Sequence, residues 1–457
     1  MTSITTIDPA TGSALDTYAH ATDAEVETAL AAAESGFASW RRTTFAERAS
    51  ALRAFARAIT DAREEAAQLI TAEMGKPITQ ARAEVDKSAL VLEYYADRGA
   101  EFLRAESVET GFDASYVQFA PLGSVLAIMP WNYPFWQVMR FVAPALMGGN
   151  TIVLKHASNV SGCALLLGDL ARRAGLPSSL LQPLILPAGR VEGLIADRRI
   201  AAVTLTGSDA VGMAVGAACG RYLKKSVLEL GGSDPFIVLA DADVAAAART
   251  AATARFLNNG QSCIAAKRFI VEDSAFDQFE SGFIAAASAL VFGDPTDDAT
   301  DVGPMARVDL RDELADQVRR AGAAGGRIAL GGTVPDGPGA FYPPTLVSDV
   351  APRTPVFDEE TFGPAAALVR ARDASHAIRL ANDSPYGLSS SLWSSDIERA
   401  RSLAGDIEAG AVFINAMSAS DPRMPFGGVK RSGWGRELGS FGIREFVNVQ
   451  AVSVRVT

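Results

Sequence analysis

Cys263 stands in the stretch GQSC, behind a glycine and two polar residues, where its backbone N–H is free to bind charge and a helix start would favour the thiolate. A thiol in that setting is a candidate nucleophile towards an electrophilic carbon, and other stretches carry groups that could serve it. Glu229 ends the apolar run of SVLELGG. A carboxylate is costly to bury there unless paired or functional, and partial desolvation raises its pKa towards general-base range. Asn132, in PWNYPFW, is held among aromatics and prolines as an amide able to donate to an oxyanion. Lys155 closes the strand-like VLKHAS, and Gly207 with Ser208 closes AAVTLTGS. A strand edge of that kind faces the usual ligand crevice of an α/β sheet, and a glycine turn before a helix presents N–H groups to an anion such as a diphosphate.

Each of these groups also has a plainer reading. A single cysteine is commonly buried and inert, Glu229 could be half of a structural ion pair, and a lysine at a strand end is often only solvated. LTGSDAVG is not G-x-G-x-x-G, and EETFGPAA, with Glu360 and Phe362, reads by itself as a loop closing onto a strand.

The totals narrow the chemistry. The 457 residues are 48% hydrophobic, enough for two or three cores. A net charge of -11 repels phosphate backbones, which argues against a nucleic-acid partner. Three cysteines without a close pair make no disulfide framework and fit a reducing cytoplasm. His20, His156 and His376 have no cysteine or second histidine at ligand spacing, so no zinc site is expected. The N-terminus lacks a signal-peptide pattern, and no apolar run approaches the ~20 residues of a membrane span.

The elements that must position these groups follow from periodicity. Residues 22–104 are Ala-rich with apolar residues at helical spacing and a stop at Gly75, which predicts a block of amphipathic helices. From GSVLAIMP onward, strand-like and helix-like pieces alternate, which predicts a mostly parallel sheet, and a second α/β unit begins near Glu229. The terminal FVNVQAVSVRV reads as a strand without a local partner, to be paired with another segment or another subunit.

Taken together, PWNYP, LTGSDAVG, LELGGSDPFIV, GQSC, EETFGP, NDSPYGL and PFGGVKRSG resemble the NAD(P)-dependent aldehyde dehydrogenases, from IDPATG near the start to PFGGVKRSGWGRELG near the end. The resemblance implies an α/β fold of that family. Residues 1–102 and 122–228 would form a Rossmann-like dinucleotide-binding domain, 229–440 a catalytic α/β domain, and 103–121 with 441–457 a small β oligomerisation arm in a homodimer or homotetramer. It makes Cys263 the nucleophile that gives a thiohemiacetal and then, after hydride transfer, an acyl thioester. Asn132 with the Cys263 N–H would hold the oxyanion, and Glu229 would activate the hydrolytic water. For the dinucleotide it implies Gly207 and Ser208 at the diphosphate, Lys155 at the adenosine ribose, Glu360 and Phe362 at the nicotinamide ribose, and Trp131 in the same binding set.

Three departures from the family pattern matter. Ser158 replaces the glutamate that many NAD-preferring members keep three residues after the lysine, which favours NADP over NAD, with Lys155 and His156 as sources of attraction for a 2'-phosphate. Within the family, LKHASNV and GQSCIAAKRFIV look most like bacterial succinate-semialdehyde dehydrogenases of the shorter type. That likeness makes Arg140, Ser418 and Ser420 the expected contacts of a remote substrate carboxylate, with a structural ion pair as the plainer fate of Arg140. Leu257 stands where the longer enzymes have another arginine, so the carboxylate is held differently, with Arg423 as one option, or the preference is broader. Ala265 stands where they can carry a second cysteine, so that local redox switch is missing. The rival functions are an aldehyde dehydrogenase for uncharged aldehydes, a cofactor-independent thiol esterase, and a non-catalytic binding protein.

Overall fold

The computed structural model describes residues 3–456; Met1, Thr2 and Thr457, the outermost residues of the two terminal segments, lie outside the described residues. After a hairpin of β1 (Ser3–Ile7) and β2 (Ala14–Ala19), local chemistry starts the helices. Thr22 and Thr44 each close a capping box with Glu25 and Glu47, opening α1 (Asp23–Trp40) and α2 (Phe45–Asp61). Helix α3 (Arg63–Met74) stops at Gly75, whose φ of 74° is the left-handed cap that glycine adopts without strain. Helix α4 (Ile78–Phe102) then packs on α2 and, after the short strand β3 (Glu106–Ser107) and the longer β4 (Ala114–Pro121), on α5 (Trp136–Met147). Glu84 of α4 accepts the N–H groups of Phe135 and Trp136 at 2.8 and 3.0 Å, so a carboxylate of one helix caps the start of the other.

The first large sheet holds β5 (Ser124–Met129), β6 (Thr151–His156), β7 (Leu181–Pro183), β8 (Ile200–Thr206) and β9 (Lys225–Glu229). Helices α6 (Ser161–Arg173), α7 (Val191–Ala196) and α8 (Asp209–Arg221) make the crossovers. These strands are parallel in the spatial order β7-β6-β5-β8-β9. That is the doubly-wound 3-2-1-4-5 order, whose switch point lies between β5 and β8 and is the place where such sheets bind ligands. Strand β5 is buried along its whole length, as a parallel sheet covered on both faces requires.

A second, seven-stranded sheet follows, built on β10 (Asp234–Val238) and β11 (Ala266–Glu272), with α9 (Val244–Phe256) between them. One edge is β12 (Arg327–Leu330), antiparallel to β13 (Thr345–Ser348). Strand β13 joins the parallel run through β14 (Ala365–Ala371). Beyond the short β15 (Tyr386–Gly387), β16 (Ser389–Trp393) and β17 (Ala411–Ile414) extend the other side in parallel. Residues 230–233 alone link β9 to β10, so the carboxyl end of a first-sheet strand leads directly into the amino end of a second-sheet strand.

Two features differ from the expected division of the chain. Gly433–Trp434 return to pair antiparallel with β9, so a piece of the 229–440 segment belongs to the first sheet. A boundary at 440/441 also cuts the helix Gly439–Glu445, which packs on α4 and α5, and the terminal strand starts only at Val447. That strand, Val447–Val454, pairs over its full length with β4, which also carries β3. Of the two partners expected for it, another segment or another subunit, the first is present, because β4 lies far away in sequence but in the same chain. Among the described residues no helix is long and apolar enough to cross a membrane.

Candidate active site

The turn that carries Cys263 is shaped by three successive left-handed residues, Asn258 and Asn259 with φ of 56° and Gly260 with φ of 70°. Asparagine tolerates that conformation because its side chain can bond locally or nearby, and both do so here. Asn258 donates to the carbonyls of Asn132 and Gln261 at 2.9 and 3.0 Å, and Asn259 donates to those of Gly75 and Pro304 at 2.9 and 2.8 Å. A Cβ on Gly260 would collide with the Gly363 carbonyl, so only glycine fits. The Asn132 amide donates to the Gln261 carbonyl at 3.0 Å, which brings it beside the turn.

Arg255, near the end of α9, fastens this turn from below. Fully buried, it donates to the carbonyls of Ala266, Gly260 and Thr361 at 3.0, 3.2 and 3.0 Å and also to that of Gly363. Lys267 adds bonds to the Ser262 and Cys263 carbonyls at 3.0 and 2.8 Å. Sequence reasoning missed both; a basic residue inside an apolar helix was the available signal for Arg255.

Cys263 lies in a turn and not at a helix start, so no helix dipole lowers its pKa. Burial instead pushes the thiol up to about 12, against the pull of Arg140 and Lys267. The thiol is therefore protonated at rest. It stands on the wall between two cavities, one of about 330 Å³ and one of about 540 Å³, and lines both.

Glu229, at the end of β9, lines neither cavity. It is 2% exposed, its two carboxyl oxygens have no hydrogen-bond partner, and a Cβ on Gly427 would lie 2.6 Å from one of them. Desolvation, with the neighbouring Glu437, holds its pKa well above the usual carboxylate range, while Arg140 and Arg436 pull the other way. Arg140 is itself committed: its guanidinium pairs with Glu437 inside the protein, both almost fully buried, and donates to Thr206 Oγ1 at 3.3 Å. The plainer reading of Arg140 as an ion-pair partner thus describes the geometry, although the residue also lines the smaller cavity.

The larger cavity opens at the β5/β8 switch point, lined by Trp131 and Asn132 beyond β5 and by Gly207 and Ser208 beyond β8. Ser208 caps α8, accepting the Val211 N–H at 3.4 Å, so the helix's N-terminal donors face this space. Across it, Phe362 meets Trp131 edge to face at 5.6 Å, and Glu360 accepts the Gly232 N–H at 2.8 Å with Lys267 at 3.5 Å. A volume of that size, walled by aromatic rings and ending at a helix N-terminus, fits a dinucleotide. Lys155 and Ser158 sit beyond it at the carboxyl end of β6, Lys155 half-buried and Ser158 exposed. His156 corrects an expectation: it is buried, bonds the Pro134 carbonyl at 2.9 Å, and burial drops its pKa to about 4, so it is neutral and offers no charge to a phosphate.

The smaller cavity is lined by Arg140, Ser418 and Ser420, and Leu257 also opens onto it. Arg423 does not reach it; exposed, it pairs with Asp421. A cation that sequence reasoning passed over, Lys87 of α4, does line it and donates to Ser420 Oγ at 2.8 Å. Among the described residues no group of His, Cys, Asp and Glu could hold a metal ion.

The chain is similar to known proteins over nearly its whole length. Residues 1–452 match the profile of the aldehyde dehydrogenase family. The NADP(+) succinate-semialdehyde dehydrogenase 1 of Mycobacterium tuberculosis is 49% identical, covering 98% of this chain and 99% of its own. The NAD(P)+ succinate semialdehyde dehydrogenase Sad of Escherichia coli is 50% identical, covering 98% of this chain and 96% of its own. The crystal structure of succinic semialdehyde dehydrogenase from Streptococcus pyogenes with NADP+ superposes with a TM-score of 0.97 at 36% identity, covering 99% of this chain and 100% of that one.

Proposed function

The chain belongs to the aldehyde dehydrogenase family, and from that premise we propose that it oxidises succinic semialdehyde, or a similar short aldehyde with a carboxylate at its far end, to the acid, with NADP preferred over NAD. The observation that carries this reading is the position of Cys263 on the wall shared by two cavities, one sized for a dinucleotide and one for a small substrate.

In this reading the Cys263 sulfur bonds to the aldehyde carbon as the thiol proton passes to solvent, and the carbonyl π electrons move onto the aldehyde oxygen. The oxygen that gains charge is held by the Asn132 amide and the Cys263 N–H, donors fixed beforehand by the 258–263 turn. Bound NADP supplies the acceptor for the hydride that leaves this carbon. What remains on Cys263 is an acyl thioester. Glu229 takes a proton from water as the water oxygen attacks, the C–S bond breaks, and thiol and carboxylate are released. Because the Glu229 carboxyl lines neither cavity in its present rotamer and burial there favours its protonated form, it must swing towards Cys263 and ionise to act as the base.

For the cofactor, Trp131, Gly207, Ser208, Glu360 and Phe362 would line its diphosphate and nicotinamide halves, and Lys155 with Ser158 its adenosine ribose. Burial lowers the Lys155 pKa, and among the described residues no carboxylate pairs with it, so a 2'-phosphate meets a lysine and a neutral serine without facing a carboxylate. Arg140, Ser418 and Ser420 mark the end of the smaller cavity that faces the substrate's carboxylate.

We further assign residues 1–102 and 122–228, joined by the returning Gly433–Trp434, to cofactor binding, the rest of 229–440 to catalysis, and 103–121 with the strand Val447–Val454 of the 441–457 segment to assembly as a homodimer or homotetramer in the cytoplasm. The open edge of the terminal sheet and its exposed Val449 and Val454 support the assembly. The test is steady-state oxidation of succinic semialdehyde, glutaric semialdehyde, butyraldehyde and benzaldehyde with NADP and with NAD. The expected result is a kcat/KM for succinic semialdehyde at least about 100-fold above butyraldehyde, or roughly 2.7 kcal/mol. Equal turnover of all four aldehydes would mean a broad aldehyde dehydrogenase, and turnover of esters without cofactor as the main activity would mean an esterase.

A further inference from the structure

Three cations line the smaller cavity, Lys76, Lys87 and Arg140, and they differ in what they already hold. Lys76 is buried in an ion pair with Glu84 and lies 3.8 Å from the centre of the Tyr133 ring. Arg140 is buried against Glu437 and stacks over Phe426 at 4.5 Å. Pulling either charge towards a ligand would strand a buried carboxylate, which is strongly unfavourable.

Lys87 is not committed in that way. Its Nζ donates to the neutral Ser420 Oγ at 2.8 Å and stands over the Trp136 ring at 4.2 Å. Among the described residues it has no carboxylate within ion-pair distance, and Asp421, which acts on it from the 417–421 loop, is bonded to Arg423. An ammonium has three donors, so at least one remains for a ligand in the cavity. The position is rigid: Glu84, one helical turn earlier on α4, is bonded to the start of α5.

We propose that Lys87, with Ser420 beside it, supplies a further cation that fixes the substrate's carboxylate at the end of the cavity where Arg140, itself paired with Glu437, also stands. The proposal rests on the reading of an acid-ended substrate given above. Burial and the nearby Arg140 lower the Lys87 pKa to about 8, which leaves it largely protonated at neutral pH. The Trp136 face shields the ammonium on one side, which strengthens a charge-assisted bond on the other.

The test measures kcat/KM for succinic semialdehyde and butyraldehyde in the parent, Lys87→Met, Lys87→Arg and Arg140→Gln proteins. Lys87→Met should lower succinic semialdehyde oxidation by about 100-fold, mainly through KM, and change butyraldehyde by less than about 3-fold. Lys87→Arg should recover part of the loss. Arg140→Gln should depress both aldehydes, butyraldehyde included, because it leaves Glu437 unpaired next to Glu229. If Lys87→Met depresses both substrates equally, or spares succinic semialdehyde in an enzyme that still prefers it, the assignment of Lys87 is wrong while the substrate reading stands. If the parent itself shows no preference, the substrate reading fails and this assignment fails with it.

Discussion

Glu229 and Glu437 share the influence of one buried guanidinium, Arg140, and Arg140 is bonded to Glu437. Burial, and after it the nearby Glu437, therefore hold the Glu229 proton on well above the usual carboxylate pKa of 4.5. A raised folded-state pKa means that unfolding releases a proton above pH 4.5, so this group costs stability increasingly as pH rises. Glu229→Gln should accordingly raise the unfolding midpoint more at pH 8 than at pH 5, up to about 1.4 kcal/mol for each pH unit between the two pKa values. Thermal unfolding of both proteins at the two pH values checks this, and an equal shift at both would contradict it. Ser158→Glu offers a second residue-scale test. A carboxylate beside Lys155 should repel a 2'-phosphate and accept from ribose hydroxyls, so NADP kcat/KM should fall at least about 10-fold while NAD improves. No change in the NADP to NAD ratio would remove Ser158 from the cofactor reading. Residue types made Cys263, Glu229 and Asn132 visible in the sequence. The Arg140–Glu437 pair and the neutral state of His156 were not, since both arise from contacts and burial that only the folded chain creates.

At the scale of elements, the nucleophile turn is held by one buried arginine that reads carbonyls on two segments at once. Arg255 bonds Gly260 and Ala266 on either side of Cys263, and Thr361 and Gly363 next to Glu360 and Phe362. Arg255→Met strands those carbonyls, and stability should drop by about 2–5 kcal/mol in urea unfolding, with a higher KM for NADP from loosening of the 360–363 segment. If Arg255→Met is as stable as the parent, the clamp has been misread. Periodicity and capping signals exposed most helices and the parallel strands, because those depend on neighbours in sequence. The two-residue strand Gly433–Trp434 escaped, since nothing local distinguishes it from a loop until β9 is beside it.

For the whole molecule, the short link from β9 to β10 joins the two sheets close to the place where the larger and smaller cavities share Cys263. The terminal strand completes a three-stranded sheet whose outer edge remains open in a single chain. Light scattering should therefore find a dimer or tetramer, and deletion of residues 447–457 should yield monomers by removing the strand whose open edge meets the neighbouring copy. A parent protein that is monomeric at micromolar concentration would contradict that assembly.

Covalent catalysis at Cys263 is tested by rapid mixing of Glu229→Gln with succinic semialdehyde and NADP, followed by mass analysis of the Cys263 peptide. With the base removed, reduced cofactor should appear in a burst equal to the enzyme present and then stop, and the peptide should carry the mass of one succinyl group. Steady turnover without a burst, or a burst with the peptide unmodified, would contradict the thioester and with it the role assigned to the cysteine.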